Sequence, residues 1–98
     1  MRLRLHPDAE LDVQRAALFY EERAGRALAN ALLDEYERAL GGLLLHPLMG
    51  SVVEGGLRRI PLKGFPYSIF YEPVAQEVRV MALAHQSRRP GYWLERKL

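Results

Sequence analysis

The chain has 98 residues, 49% of them hydrophobic and 27% charged, with a net charge of +2, and this is the composition of an ordinary globular domain. It contains no cysteine, which excludes disulfide bonds, thiolate metal ligands and a thiol nucleophile. No apolar run reaches the roughly 18 residues of a membrane span, and no signal peptide is recognisable. We therefore expect one domain over residues 1–98, in a cytoplasmic protein that does not bind membranes.

The first half of the sequence predicts a short strand followed by two helices. Residues 2–6 alternate charged side chains with leucines, which is the pattern of a half-buried strand. Asp8 is the expected N-cap of a first helix that ends at Gly25. A second helix extends to His46, and Gly41-Gly42 predicts that its last turn is weak. Apolar residues recur at helical spacing in both segments, which indicates a helix hairpin with one apolar face.

The second half predicts a loop and three strands. Residues 47–56 contain three glycines and form the expected loop or lid. Strand patterns follow at residues 58–63, 67–71 and 78–85, and Pro61 places the first strand at a sheet edge or at a bulge. The last of these strands is almost continuously apolar, as in a strand buried on both faces. The fold class is therefore α+β: a helix hairpin packed on one face of a small, mainly antiparallel sheet, in the order β-α-α-β-β-β.

Side chains capable of chemistry cluster at the end of the last predicted strand. His85 could act as a general acid or base near neutral pH, or it could simply bond to the neighbouring backbone. Cationic side chains that could converge on one sheet surface and bind phosphates or an acidic peptide are Arg58, Arg59, Lys63, Arg88 and Arg89. Aromatic side chains that could stack on bases are Tyr67, Tyr71, Tyr92 and Trp93. We expect the first two of these in the core and the last two at a surface or an interface.

Positive charge is concentrated in the second half of the chain. Residues 1–50 contain six arginines and eight acidic residues, whereas residues 51–98 contain eight Lys or Arg and four acidic residues. The second half would therefore attract an anionic partner such as nucleic acid or an acidic protein segment. His6 and His46 have no partner at ligand spacing, and no phosphate-binding glycine loop occurs. We accordingly predict no metal and no cofactor.

The order and spacing of four segments resemble one known superfamily. These segments are, in chain order, HPDAELDVQRAALFYEERA, LLLHPLMG, GLRRIPLKGFPYSIFYEP and MALAHQSRRPGYW. They resemble the RelE/ParE superfamily of toxins from type II toxin–antitoxin systems, and the resemblance covers nearly the whole chain. It implies a small cytoplasmic protein of bacteria or archaea. Such a protein is held inactive by an antitoxin from a neighbouring gene, whose acidic or amphipathic tail wraps the toxin.

The superfamily contains two kinds of toxin, and the resemblance supports them unequally. RelE-like members are ribosome-dependent messenger RNA endonucleases, and for this activity the resemblance implies the catalytic residues Arg59, Lys63, His85, Arg88 and Tyr92. However, Ser68 stands where these nucleases usually carry an arginine, and Pro61 replaces a frequently basic position. Loss of such an arginine would remove stabilisation of the transition state.

ParE-like members, which inhibit DNA gyrase, are therefore the better match. They need no catalytic residues, and the resemblance implies that the target or the antitoxin binds Arg58, Arg59, Arg88, Arg89, Tyr92 and Trp93. A third alternative is an inactive homologue that persists only as a binding partner of its antitoxin.

Overall fold

The computed structural model describes residues 1–98 and contains two helices and a five-stranded sheet. The elements are β1 (Arg2–Leu5), α1 (Pro7–Ala24), α2 (Arg26–Leu45), β2 (Ser51–Val52), a 3-10 turn (Glu54–Gly56), β3 (Arg58–Pro61), β4 (Tyr67–Val74) and β5 (Glu77–His85). The strands lie in the order β1-β5-β4-β3-β2, and all neighbours are antiparallel except β1 and β5. The predicted α+β fold is confirmed. The short strand β2, within the predicted loop, is an addition to it.

Helix α1 begins with a histidine cap, and the prediction that Asp8 is the N-cap is wrong. The Nδ1 atom of His6 accepts a hydrogen bond from the backbone N–H of Asp8 at 3.0 Å. Pro7 occupies the first helical position, where its missing N–H costs nothing. Asp8 instead lies in the first turn, where its charge suits the positive end of the helix dipole. Gly25, with a φ of 95°, ends the helix as predicted.

Helix α2 continues through Gly41-Gly42 to Leu45 without interruption. Leu40 and Leu43, on either side of the glycines, are buried in the core. Their burial offsets the loss of helix stability, about 1 kcal/mol for each glycine relative to alanine. The backbone N–H of His46 donates to the Gly42 carbonyl at 2.8 Å and ends the helix at the predicted position. No helix of the chain combines the length and the apolar character needed to cross a membrane.

Strand β5 lies between β1 and β4 and is buried on both faces, as its apolar sequence predicted. On one face, Val80 and Leu83 pack against the helix hairpin in the main core. The pairing of β4 with β5 is irregular opposite Phe70, so that the consecutive residues Met81 and Ala82 both belong to a second, smaller core on the other face. The helices therefore cover only one side of the sheet.

The chain after β5, residues 86–98, covers the second face, and we call it the C-terminal segment. The ring of Trp93 lies 3.9 Å from the ring of Phe70, and Trp93 is only 7% exposed. The prediction that Trp93 lies at a surface or an interface is therefore wrong, because the indole is buried against the sheet of its own chain. Phe70, Met81 and Ala84 form an apolar floor for the indole, and this floor arises from the irregular pairing of β5.

An ion pair joins the C-terminal segment to α1 along the edge of β5. Strand β1 ends opposite Val80, so beyond this residue β5 has no strand partner on the side that faces away from β4. Asp12 accepts a hydrogen bond from the Leu83 N–H at 3.1 Å, and Arg96 donates to the Met81 carbonyl at 2.9 Å. The Arg96 Nη1 and Asp12 Oδ2 atoms lie 2.7 Å apart. Burial lowers the pKa of Arg96, but the hydrogen bond and the charge of Asp12 outweigh burial and raise it above its usual value.

Tyr71 fixes the loop between α2 and β2, which the sequence predicted as a loop or lid. The hydroxyl of this fully buried tyrosine donates to the Pro47 carbonyl and accepts from the Gly50 N–H, each at 2.8 Å. A Cβ atom at residue 50 would lie 2.7 Å from that hydroxyl, which explains the glycine. Arg58 adds hydrogen bonds to the carbonyls of Leu48 and Gly50. These bonds fix both ends of the turn, so the structure favours a fixed loop over a lid.

We expect Tyr71→Phe to lower the free energy of unfolding by about 2 kcal/mol, because the Gly50 N–H and the Pro47 carbonyl lose their partner. Denaturant titration measures this loss. Tyr67→Phe is the matched control, since the Tyr67 hydroxyl forms no hydrogen bond within the protein, and its free energy should change by less than about 0.5 kcal/mol. Equal losses in the two variants would contradict the role given to the Tyr71 hydroxyl.

Candidate functional site

Two cavities meet at the end of β5, one on each side of the sheet, and His85 lines both. The first, of about 280 Å³, opens on the second face, and we call it the sheet cavity. Its principal side chains are Arg59, Ser68, Phe70, Arg88 and Trp93. The second, of about 420 Å³, lies between α1 and β5, and we call it the helix cleft. Its principal side chains are Arg15, Phe19, Tyr67, Arg88 and Tyr92.

His85 is oriented by the turn that follows β5. The backbone N–H of Ser87 donates to its Nδ1 atom at 3.0 Å, and the Ser87 hydroxyl lies 2.7 Å from the same nitrogen. Because Nδ1 accepts a hydrogen bond, the neutral ring carries its proton on Nε2, which has no partner in the protein. The ring of Tyr67 packs edge-on against the imidazole at 5.0 Å. The bond to neighbouring backbone is thus confirmed, and one ring nitrogen remains free to donate.

The five cationic side chains that could converge on one surface are in four different environments. Arg59 and Arg88 line the sheet cavity, and neither guanidinium forms an ion pair or a hydrogen bond within the protein. Arg89 is exposed beside Arg88 but lines neither cavity. Arg58 is engaged with the carbonyls of the loop before β2. Lys63 lies beside α2, where its backbone N–H donates to a glutamate. The prediction that all five converge is therefore wrong.

The residues that the resemblance implied for a nuclease are only partly brought together. Three of them line the sheet cavity: Arg59, His85 and Arg88. Tyr92 lines the helix cleft instead, and Lys63 lines neither cavity. Ser68, which replaces the nuclease arginine, is 4% exposed and contributes a hydroxyl to the cavity wall. No three His, Asp or Glu side chains are grouped so that they could hold a metal ion.

Tyr92 supports Arg88 from the C-terminal segment. The guanidinium of Arg88 lies 4.3 Å from the centroid of the Tyr92 ring, and that of Arg96 lies 5.3 Å from it. Burial raises the pKa of Tyr92, and the Asp12 carboxylate raises it further, against the opposing effect of nearby arginines. The phenol is therefore neutral at physiological pH, and its ring face holds Arg88 next to His85.

Helix α1 contributes residues to the site that the sequence did not predict. Arg15 and Phe19 line the helix cleft together with Asp12 and Ala16. These four positions have the spacing i, i+3, i+4 and i+7, which places them on one stripe of the helix. The sequence could have indicated this contribution, because charged, small and aromatic residues form one stripe beside the apolar face of the helix.

Comparisons with known proteins identify a family and a solved structure of similar fold. The family model described as "ParE toxin of type II toxin-antitoxin system, parDE" matches residues 3–90. A solved structure titled "Chromosomal ParDE TA system from P. aeruginosa" is similar, with a TM-score of 0.76 and 19% identity. The similarity covers 87% of this chain and 95% of that chain, and at this identity it shows the fold alone. No curated protein matches the sequence.

Proposed function

Since the chain belongs to the ParE family of toxins from type II toxin–antitoxin systems, we propose that it arrests bacterial growth by binding and poisoning DNA gyrase. The family match over residues 3–90 is the observation that carries this proposal. The sheet cavity supports it, because Ser68 and the distant Lys63 leave the nuclease set incomplete. An inhibitor that acts by binding needs a complementary surface and no catalytic residues.

We propose the surface around the end of β5 as the place where the target or the antitoxin binds. Arg59, Arg88 and Arg89 form no ion pairs within the chain, so their guanidiniums are available to carboxylates or phosphates. Tyr92 and Trp93 contribute by positioning the C-terminal segment. Arg58 contributes to this surface indirectly, because its guanidinium donates to carbonyls of the loop before β2 and fixes that loop.

We propose that the toxin is a cytoplasmic protein and that its partner is a cognate antitoxin from a neighbouring gene. Large apolar side chains beside the free edge of β2 are at least half exposed, namely Leu45, Leu48, Met49 and Val52. A short exposed strand edge with adjacent apolar side chains suits a segment that becomes ordered on binding. The cationic C-terminal half of the toxin would attract an acidic part of the same segment.

Purified toxin should inhibit DNA supercoiling by gyrase or accumulate cleaved DNA at micromolar concentration, and the product of the neighbouring gene should relieve the inhibition. Arg88→Ala should raise the toxin concentration needed by about tenfold, as expected for one well-placed contact. Arg26→Ala is the control, because Arg26 is also exposed but lines neither cavity. Unaffected supercoiling at micromolar toxin would contradict the proposal.

A second candidate function, ribosome-dependent cleavage of messenger RNA, is favoured by one observation. Arg59, His85 and Arg88 share the sheet cavity, and His85 has a free ring nitrogen. Toxin-dependent cuts in messenger RNA on translating ribosomes, abolished by His85→Ala, would support this function in place of gyrase poisoning. Growth without arrest when the toxin is expressed alone would indicate an inactive homologue that binds only its antitoxin.

A further inference from the structure

The helix cleft combines aromatic rings with unpaired positive charge. Phe19, Tyr67 and Tyr92 contribute three rings, from α1, β4 and the C-terminal segment. Arg15 and Arg88 line the same cleft, and neither guanidinium forms an ion pair or a hydrogen bond within the protein. Rings that offer stacking surfaces, next to guanidiniums that pair with phosphate oxygens, are the groups by which proteins recognise nucleotides.

The negative charge of the cleft is already neutralised. Asp12 is the only acidic side chain that lines it. Its carboxylate accepts from the Leu83 N–H and pairs with Arg96, so it does not compensate the two arginines of the cleft. His85 adds a hydrogen-bond donor, because its Nδ1 atom accepts from the Ser87 N–H and Nε2 is therefore the nitrogen that can donate. The cleft therefore offers an excess of positive charge and of hydrogen-bond donors to an anion.

The size of the cleft and its connection to the sheet cavity agree with a nucleotide. Its volume of about 420 Å³ lies within the usual range of small-molecule sites. His85 and Arg88 line both cavities, so a chain of nucleotides could extend from one to the other around the end of β5. Arg23 lies 4.4 Å from the centroid of the Phe19 ring and Arg88 lies 4.3 Å from that of Tyr92, so a base would stack on the ring surfaces that these guanidiniums leave open. Acidic side chains of a protein would use the arginines but not these ring surfaces, and nucleotides use both.

We infer that the helix cleft binds a nucleotide, either free or as one unit of a single strand, with the base against the aromatic rings and the phosphate against Arg15 and Arg88. The inference is independent of the target of the toxin, since it rests on the side chains of the cleft. It assigns a role to Arg15 and Phe19, which the proposed function leaves without one.

The test uses purified toxin and a short fluorescein-labelled oligothymidylate, with fluorescence anisotropy as the readout at low salt. Arg15→Ala should weaken binding about tenfold through the loss of a charge-assisted hydrogen bond. Phe19→Ala, which leaves the charge unchanged, should also weaken binding about tenfold through the loss of stacking. Arg26→Ala removes an exposed arginine outside the cleft and should change affinity by less than about twofold. Arg15 and Phe19 are both exposed, so these variants should melt like the unmodified toxin.

Competitors distinguish the two sources of the nucleotide. Displacement of the labelled strand by thymidine monophosphate supports a site for a free nucleotide, and displacement only by unlabelled strands supports a site for a strand. An equal loss in Arg26→Ala, or no loss in Phe19→Ala, would overturn the inference, because either result indicates general attraction between charges. Binding of polyglutamate but not of oligothymidylate, or no binding of either nucleotide probe at millimolar concentration, would also overturn it.

Discussion

Replacing Trp93 by alanine should lower the free energy of unfolding by about 3–5 kcal/mol, the usual cost of truncating a buried aromatic side chain. The indole is almost fully buried, and it stacks on Phe70 with ring planes 31° apart. It is also the largest side chain of the second core. Without it the C-terminal segment loses its main apolar contact with the sheet. Denaturant titration gives the loss directly, and amide exchange should show which backbone groups of residues 86–98 become exposed.

Leu94→Ala provides the comparison for Trp93→Ala in the same segment. Leu94 is 38% exposed, so its truncation should cost only about 1 kcal/mol. A large loss of unfolding free energy in Trp93→Ala, together with a small loss in Leu94→Ala, would show that the C-terminal segment is held on the sheet mainly by the indole. Similar small losses in both variants would contradict the packing of the C-terminal segment against the second face.

Asp12→Ala should lower the free energy of unfolding by about 3 kcal/mol, because two groups lose their partner at once. The largely buried Arg96 guanidinium would keep only the exposed and more distant Asp8 as a counter-charge, and the Leu83 N–H would lose its acceptor. Both side chains of the ion pair are less than one-seventh exposed, at 8% for Asp12 and 13% for Arg96. Salt screens such a pair only weakly, so the loss should persist when denaturation is repeated at high ionic strength.

Asp8→Ala is the matched control for Asp12→Ala. Asp8 also approaches Arg96, with 3.9 Å between its Oδ2 atom and the Arg96 Nε atom, but its side chain is 53% exposed. Its removal should therefore change the free energy of unfolding by less than about 0.5 kcal/mol, as for other exposed pairs. Equal stability of the two variants would contradict the role of the Asp12–Arg96 ion pair in stabilising the edge of β5.

Local periodicity was sufficient to predict the helix hairpin and the buried last strand. Helical spacing of apolar residues and a nearly unbroken apolar run are direct consequences of burial, so both can be recognised in the sequence. Strand β2 has only two residues, Ser51 and Val52, and is too short for any periodic pattern. The cap of α1 was missed because an imidazole from His6 replaces the more usual carboxylate acceptor.

The sequence predicted part of the candidate site, and the pairing of the strands explains both the part that was predicted and the part that was not. Arg59, His85 and Arg88 share a cavity because β3, β4 and β5 are neighbours, and the three antiparallel strand patterns already indicated this order. The burial of Trp93 depends on the irregular pairing at Met81, which turns two consecutive side chains to one face. No periodicity in the sequence reports such an irregularity before the pairing of β4 with β5 is known.

The parallel pairing of β1 with β5 has a consequence for the order in which the fold can be completed during synthesis. Arg2 pairs with Glu77, and Leu5 pairs with Val80. Strand β1 is therefore synthesised first but cannot pair until β5, the last strand, has been synthesised. The two helices leave the ribosome before the strand against which their apolar face packs. A nascent chain that stops short of β5 therefore exposes this face, and native structure forms only after β5 is available. Such long-range closure is typical of domains that fold slowly for their size.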